Sequence, residues 1–146
     1  MEIKTSNQPT SQIYADAISV RRAVFIDEQG IAPELELDEV TTATWHYVLY
    51  DDQQHAVATA RMTPESDATL HVQRVATRQA ARGHGYAGAL IKRMMADARQ
   101  RGYQQLTLGA QVTAVSFYQQ LGFITQGAPF MEAGIQHRTM TYQLTE

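Results

Sequence analysis

Apolar positions recur along this chain with two different periods. Between residues 87 and 98, Ala87, Leu90, Ile91, Met94, Met95 and Ala98 fall at helical spacing, with Lys92, Arg93, Asp97 and Gln100 on the opposite side. Such a segment has one oily face and one wet face, which predicts a helix laid against a core. Gly102, following Arg99 and Arg101, supplies its stop. Ile13, Ala17, Val20 and Val24 follow the same period and predict an earlier helix over 11–28 that halts at Gly30. A third stripe, Ala114, Phe117, Tyr118 and Leu121, predicts a helix capped by Thr113 and ended by Gly122.

The remaining apolar runs are short and rich in β-branched or aromatic residues. Residues 44–50, 56–62 and 69–76 read as strands, separated by turn-like stretches at 51–54 and 64–67. Their short connections make them antiparallel neighbours. A first strand is expected at 2–5, another at 105–108, and one or two more at the end, where Met140, Tyr142 and Leu144 alternate. Residues 31–42, with Pro33 and many acids, read as a loop or a short irregular helix. The strand at 69–76, the long helix and the strand at 105–108 form a right-handed parallel crossover inside a mostly antiparallel sheet. The fold class is mixed α/β, in one domain over residues 1–146.

Composition narrows the possible chemistry. The 146 residues contain no cysteine, which excludes disulfides, thiolate metal sites and a cysteine nucleophile. The five histidines show no i, i+4 pairing, so no metal is expected. No apolar run approaches the roughly 20 residues that span a bilayer, and the N-terminus lacks a signal pattern, so a cytoplasmic protein is expected. The net charge of −3 gives no reason to expect nucleic acid. The distribution of charge says more: eight acids and no Lys or Arg lie between Ala23 and Ala60, whereas Arg74, Arg78, Arg82, Lys92 and Arg93 lie between Ala68 and Ala96 without any acid. Chance segregation of surface charge would explain this, as would a basic cofactor site beside an acidic site for a cationic substrate.

Arg82-Gly83-His84-Gly85-Tyr86-Ala87-Gly88 joins the third antiparallel strand to the long helix. Glycines let a ligand approach bare main-chain amides. The helix mouth adds unpaired N–H groups and the positive end of a dipole. A diphosphate suits such a turn, with Arg82 and Arg78 as charged donors; a tight ligand-free connection would read the same way. Gly83, Gly85 and Gly88 also match a dinucleotide fingerprint, but the required acid about 20 residues on is missing, since Leu106 to Gln111 contains none.

At these residues the chain resembles the GNAT superfamily of acyl-CoA N-acyltransferases. Arg82 to Ala87 is similar to its diphosphate-binding pattern, and Phe117-Tyr118-Gln119-Gln120-Leu121-Gly122-Phe123 is similar to its second signature. Arg22-Ala23-Val24-Phe25, Glu28-Gln29-Gly30, His46, Arg61, Gln73-Arg74-Val75, Ala110-Gln111 and Glu132 to His137 extend the likeness to an ElaA-like or YjcF-like branch.

The resemblance implies acetyl-CoA as co-substrate, held by Val75, Ala76 and Thr77, by Arg82, Gly83, His84, Gly85, Tyr86, Ala87 and Gly88, and by Gln111. It implies a pantetheine arm lying along Val75 and Thr77 like an added strand, and an amine that attacks the thioester directly. Tyr118 would protonate the departing thiolate; periodicity alone favours a core tyrosine instead, and the resemblance reverses that. The proton lost by the amine needs a base. Glu28, Glu36, Asp38, His46, His71, Glu132 and His137 are candidates, with Glu28 and the Glu132/His137 pair foremost. Glu36, Asp38, His46 and Arg74 are expected near the acceptor, a primary amine of a small molecule or peptide. A non-catalytic acyl-CoA sensor or interaction module is the alternative, and an exposed sheet edge near the C-terminus leaves a homodimer open.

Overall fold

Ser11 begins the first helix as expected: its side chain accepts a hydrogen bond from the Tyr14 N–H. The computed structural model describes residues 1–145. Seven strands, β1 (Glu2–Ser6), β2 (Trp45–Tyr50), β3 (Ala56–Pro64), β4 (Thr69–Thr77), β5 (Gln105–Gln111), β6 (Ile124–Glu132) and β7 (Ile135–Gln143), form one sheet in the order β1-β2-β3-β4-β5-β7-β6. The helices are α1 (Gln12–Arg21), α2 (Pro33–Glu36), α3 (Tyr86–Gln100) and α4 (Val115–Gln120). β4 and β5 are parallel, paired from Thr69 with Gln105 to Val72 with Leu108. The mixed α/β class and the parallel crossover are as the sequence predicts.

By contact density the chain divides into two units. The first comprises residues 1–63 and 74–91, and the second residues 64–73 and the chain from 92 onward. In the first, Val20, Val24 and Phe25 pack with Ala76 as a buried cluster that Ile31 and Ala56 complete. In the second, Met94, Met95 and Ala98 of α3 are buried, as are Leu106 and Leu108 of β5 and Met140 of β7. The predicted stripe of α3 is therefore the buried one.

Two boundaries differ from expectation. The helix predicted over 11–28 is α-helical only to Arg21; Arg22–Glu28 continues it as a π-helix. Val24 and Phe25 are the buried residues of this segment. Thr113 caps no helix: it lies inside a 3-10 turn, Val112–Ala114, and no side chain caps α4. Of the α4 stripe, only Tyr118 is fully buried. β6 runs against β7 with an irregular register between Gln126 and Phe130, where Gly127 and Pro129 interrupt the alternation. Pro has no N–H for a ladder, and β6 is an outermost strand, where that is tolerated.

Candidate active site

The turn between β4 and α3 holds Gly83 and Gly85 at φ +84° and +77°, in the left-handed region that favours glycine. A side chain built on Gly83, Gly85 or Gly88 would meet no atom within 4 Å. These glycines are therefore not required by crowding within the protein, and they leave a bare main-chain surface at the mouth of α3. The N–H groups of the first helical turn have no intrahelical acceptor there. His84 stacks on Tyr86, with ring centroids 5.4 Å apart, and its Nδ1 lies 3.0 Å from the Ala81 carbonyl.

Arg82 and Glu28, which the sequence places in separate roles, are partners. Both terminal nitrogens of Arg82 donate to the Glu28 carboxylate, at 2.7 and 2.5 Å, and Arg82 Nε donates to the Thr77 carbonyl at 3.1 Å. Hydrogen bonding to Arg82 holds the Glu28 carboxyl below its ordinary range. Engaged by Arg82 through both oxygens and less basic for it, the Glu28 carboxylate is tied to the loop rather than free in the site. Arg78 is also committed, donating to the Ala56 carbonyl and the Ser19 hydroxyl.

Arg74 stands in β4 at φ +57°, a conformation that non-glycine residues seldom adopt. Its Nε lies 2.8 Å from Glu36. The same Glu36 carboxylate takes two-point donation from Arg21, while Asp38 takes two-point donation from Arg61. Glu36 and Arg21 are almost wholly buried, and hydrogen bonds from Arg61 bring Asp38 down to about 2. Both acids expected to meet a cationic acceptor are thus neutralised from within. His46 lies on β2 opposite Arg61 and edge-on to Tyr14. Burial, then the charges of Arg61 and Arg21, push it down to about 4, so it is neutral near pH 7.

In the second unit Tyr118 packs edge-on against Phe117 and Phe123. Its phenol has no hydrogen-bond partner among the described residues. Burial pushes its pKa up, and it stays protonated across the physiological range. Gln111 pairs with His137 across β5 and β7. His137 is buried; its Nδ1 lies 2.7 Å from the Ile135 carbonyl, which makes Nδ1 the donor and leaves Nε2 as the acceptor, 3.9 Å from Glu132. Phe130 stacks on His137, and a side chain at Gly109 would come within 3.1 Å of the Phe130 ring. His71 lies apart from these groups, bonded to Thr107 and Glu65.

The family model described as an acetyltransferase (GNAT) domain matches residues 15–144. The chain belongs to this GNAT acetyltransferase family. A Bacillus subtilis relative named as an uncharacterised N-acetyltransferase, YjcF, is 32% identical over 126 residues, covering 86% of this chain and 89% of that protein. Among solved structures, a protein of Lactobacillus plantarum provisionally described as an N-acetyltransferase has a TM-score of 0.90 at 32% identity, covering 99% and 98% of the two chains. Escherichia coli ElaA has a TM-score of 0.80 at 26% identity, covering 96% and 97%. A GNAT protein of Elizabethkingia anophelis with acetyl-CoA bound shares the fold, with a TM-score of 0.67 at 16% identity over 97% of each chain.

Within this GNAT chain the sequence motifs place the loop at the mouth of α3 and Tyr118 on α4, and miss how the charges pair. Arg21 and Arg61 carry no role in the sequence reading, yet they bind Glu36 and Asp38. Only a fold that brings α1 and α2 together with β3 and β4 makes those contacts.

Proposed function

We propose that this chain is an N-acetyltransferase that moves the acetyl group of acetyl-CoA to a primary amine of a small molecule or peptide. The observation that carries the reading is the open glycine turn at the mouth of α3 in a chain of the GNAT family. Gly83, Gly85 and Gly88 leave space where side chains would stand, which suits a diphosphate resting on main-chain N–H groups. Val75, Ala76 and Thr77 would hold the pantetheine arm, and Gln111 would assist. Of these groups the Thr77 carbonyl is already engaged by Arg82, which leaves the Thr77 N–H and the Val75 main chain for the arm.

Acetyl-CoA supplies a thioester carbonyl. An N–C bond forms there as the C–S bond breaks, the amine loses one proton and the sulfur gains one. Tyr118, buried and protonated, suits the donation of that second proton. His137 Nε2, an acceptor held in place by the Nδ1 bond to Ile135, with Glu132 nearby, suits the removal of the first. Arg82, Glu28 and His84 fix the loop and need take no part in proton transfer.

The test is an assay of thiol release from acetyl-CoA over a panel of primary amines, with calorimetric titration of CoA alongside. Turnover lost in Tyr118→Phe with CoA affinity kept supports the reading. CoA binding with no turnover on any amine would instead leave an acyl-CoA-binding module, and no CoA binding would remove the whole assignment.

A further inference from the structure

The cluster around Glu36 carries more positive than negative charge. Arg21, Arg61 and Arg74 surround two carboxylates, Glu36 and Asp38, and the neighbouring His46 is neutral. One positive charge is therefore unmatched. It sits in a place where Arg21 and Glu36 are each only 2% exposed and Arg61 is 7% exposed, and an unmatched charge there is costly. The remaining acids of the segment, Glu34 and Glu39, are exposed and pair with no cation among the described residues, so water screens them.

Donors are unmatched as well. Arg21 Nη1 is buried with no partner. Arg74 Nε lies 2.8 Å from Glu36 as an ion pair without hydrogen-bond geometry, and is itself buried with no hydrogen-bond partner. Its Nη2 donates to the Leu35 and Glu36 carbonyls and lies 3.7 Å from Asp38, and its Nη1 has no partner among the described residues. Arg21 Nη2 and Arg74 Nε lie 2.9 and 2.8 Å from the same Glu36 oxygen, so the two guanidinium groups are close neighbours. Of the three arginines Arg74 is the one that reaches solvent, at 23% exposure. Its backbone is left-handed there, at φ +57°.

We propose that Arg74, backed by Arg21, is an anion subsite for the carboxylate of the acceptor, and that the acceptor is a small molecule of the amino-acid type, carrying amine and carboxylate together. This rests on the acetyl-transfer reading, because Arg74 directly precedes Val75, where the pantetheine arm is placed. A carboxylate on Arg74 supplies the missing negative charge and accepts charge-assisted bonds. The acidic segment does not attract a cation; its two inner acids position the arginines.

The test compares matched amines with and without a carboxylate, such as phenylalanine with phenethylamine and histidine with histamine. The carboxylate members are expected to have kcat/KM about tenfold higher or more, as for a hydrogen bond to a charged group. Arg74→Asn, which tolerates the left-handed backbone, should abolish that preference while CoA affinity stays unchanged, and Arg74→Lys should retain part of it. Equal rates within each pair, or a preference for the decarboxylated member, overturns the subsite.

A second readout needs no turnover. N-acetylphenylalanine should raise the Tm of the CoA-loaded protein, N-acetylphenethylamine should not, and Arg74→Asn should lose the shift. A shift without turnover keeps the subsite and sinks the transferase reading. No selective shift sinks the subsite, whether or not amines turn over.

Discussion

Arg82 is joined to Glu28 through both of its terminal nitrogens, while its third nitrogen grips the Thr77 carbonyl. The pair ties the glycine turn to the π-helical end of the first helix and to the end of β4. It engages both oxygens of a carboxylate that the motif makes a candidate base.

Glu28→Gln keeps an acceptor for Arg82 and removes the charge. It is expected to leave kcat within about threefold and the pH profile unshifted, because a positioned base is worth about a hundredfold or more. A hundredfold loss with a displaced pH profile would return Glu28 to proton transfer.

Tyr118→Phe deletes one hydroxyl from a ring held between Phe117 and Phe123. Packing should survive and CoA affinity should stay, while kcat falls by about a hundredfold, the usual size of a lost general acid. Steady-state kinetics with calorimetry separates the two.

Gly85→Ala places a methyl where the protein itself has nothing within 4 Å. The left-handed backbone makes it cost about 1 kcal/mol of stability, read from denaturant unfolding. The larger effect is expected in CoA affinity, because the methyl would occupy the bare surface on which the proposed reading rests the diphosphate. Gly85→Glu adds like charge and should abolish CoA binding in a folded protein.

His46 gives the fold a pH dependence. Its ordinary value is about 6.5 and burial lowers it to about 4 in the folded chain, so the unfolded chain binds the proton first. Its contribution is complete above about pH 6.5 and is lost as pH falls toward 4, by roughly 3 kcal/mol across the window. His46→Phe, which cannot titrate, should flatten the fall in Tm between pH 7 and pH 4.5. An unchanged slope would mean that other groups control it.

Local pattern and local chemistry were enough for much of this protein. The stripe from Leu90 to Ala98 marks α3 because helical period and burial coincide there. The turn from Arg82 to Gly88 is legible because positive φ and bare amides demand glycine at set positions. Where period and burial part, the sequence says less: α4 buries only Tyr118 of its stripe, and the edge strand β6, with Gly127 and Pro129, carries no alternation to read.

Which charges meet was decided only by the tertiary structure. Glu28 finds Arg82 across 54 positions, Arg74 meets Glu36 across 38, and Arg61 meets Asp38 across 23. Electrostatic pairing acts through space at a few ångströms, whereas sequence reports only order along the chain. Residue types therefore determined the elements and the open glycine turn, and folding determined which cation each carboxylate meets.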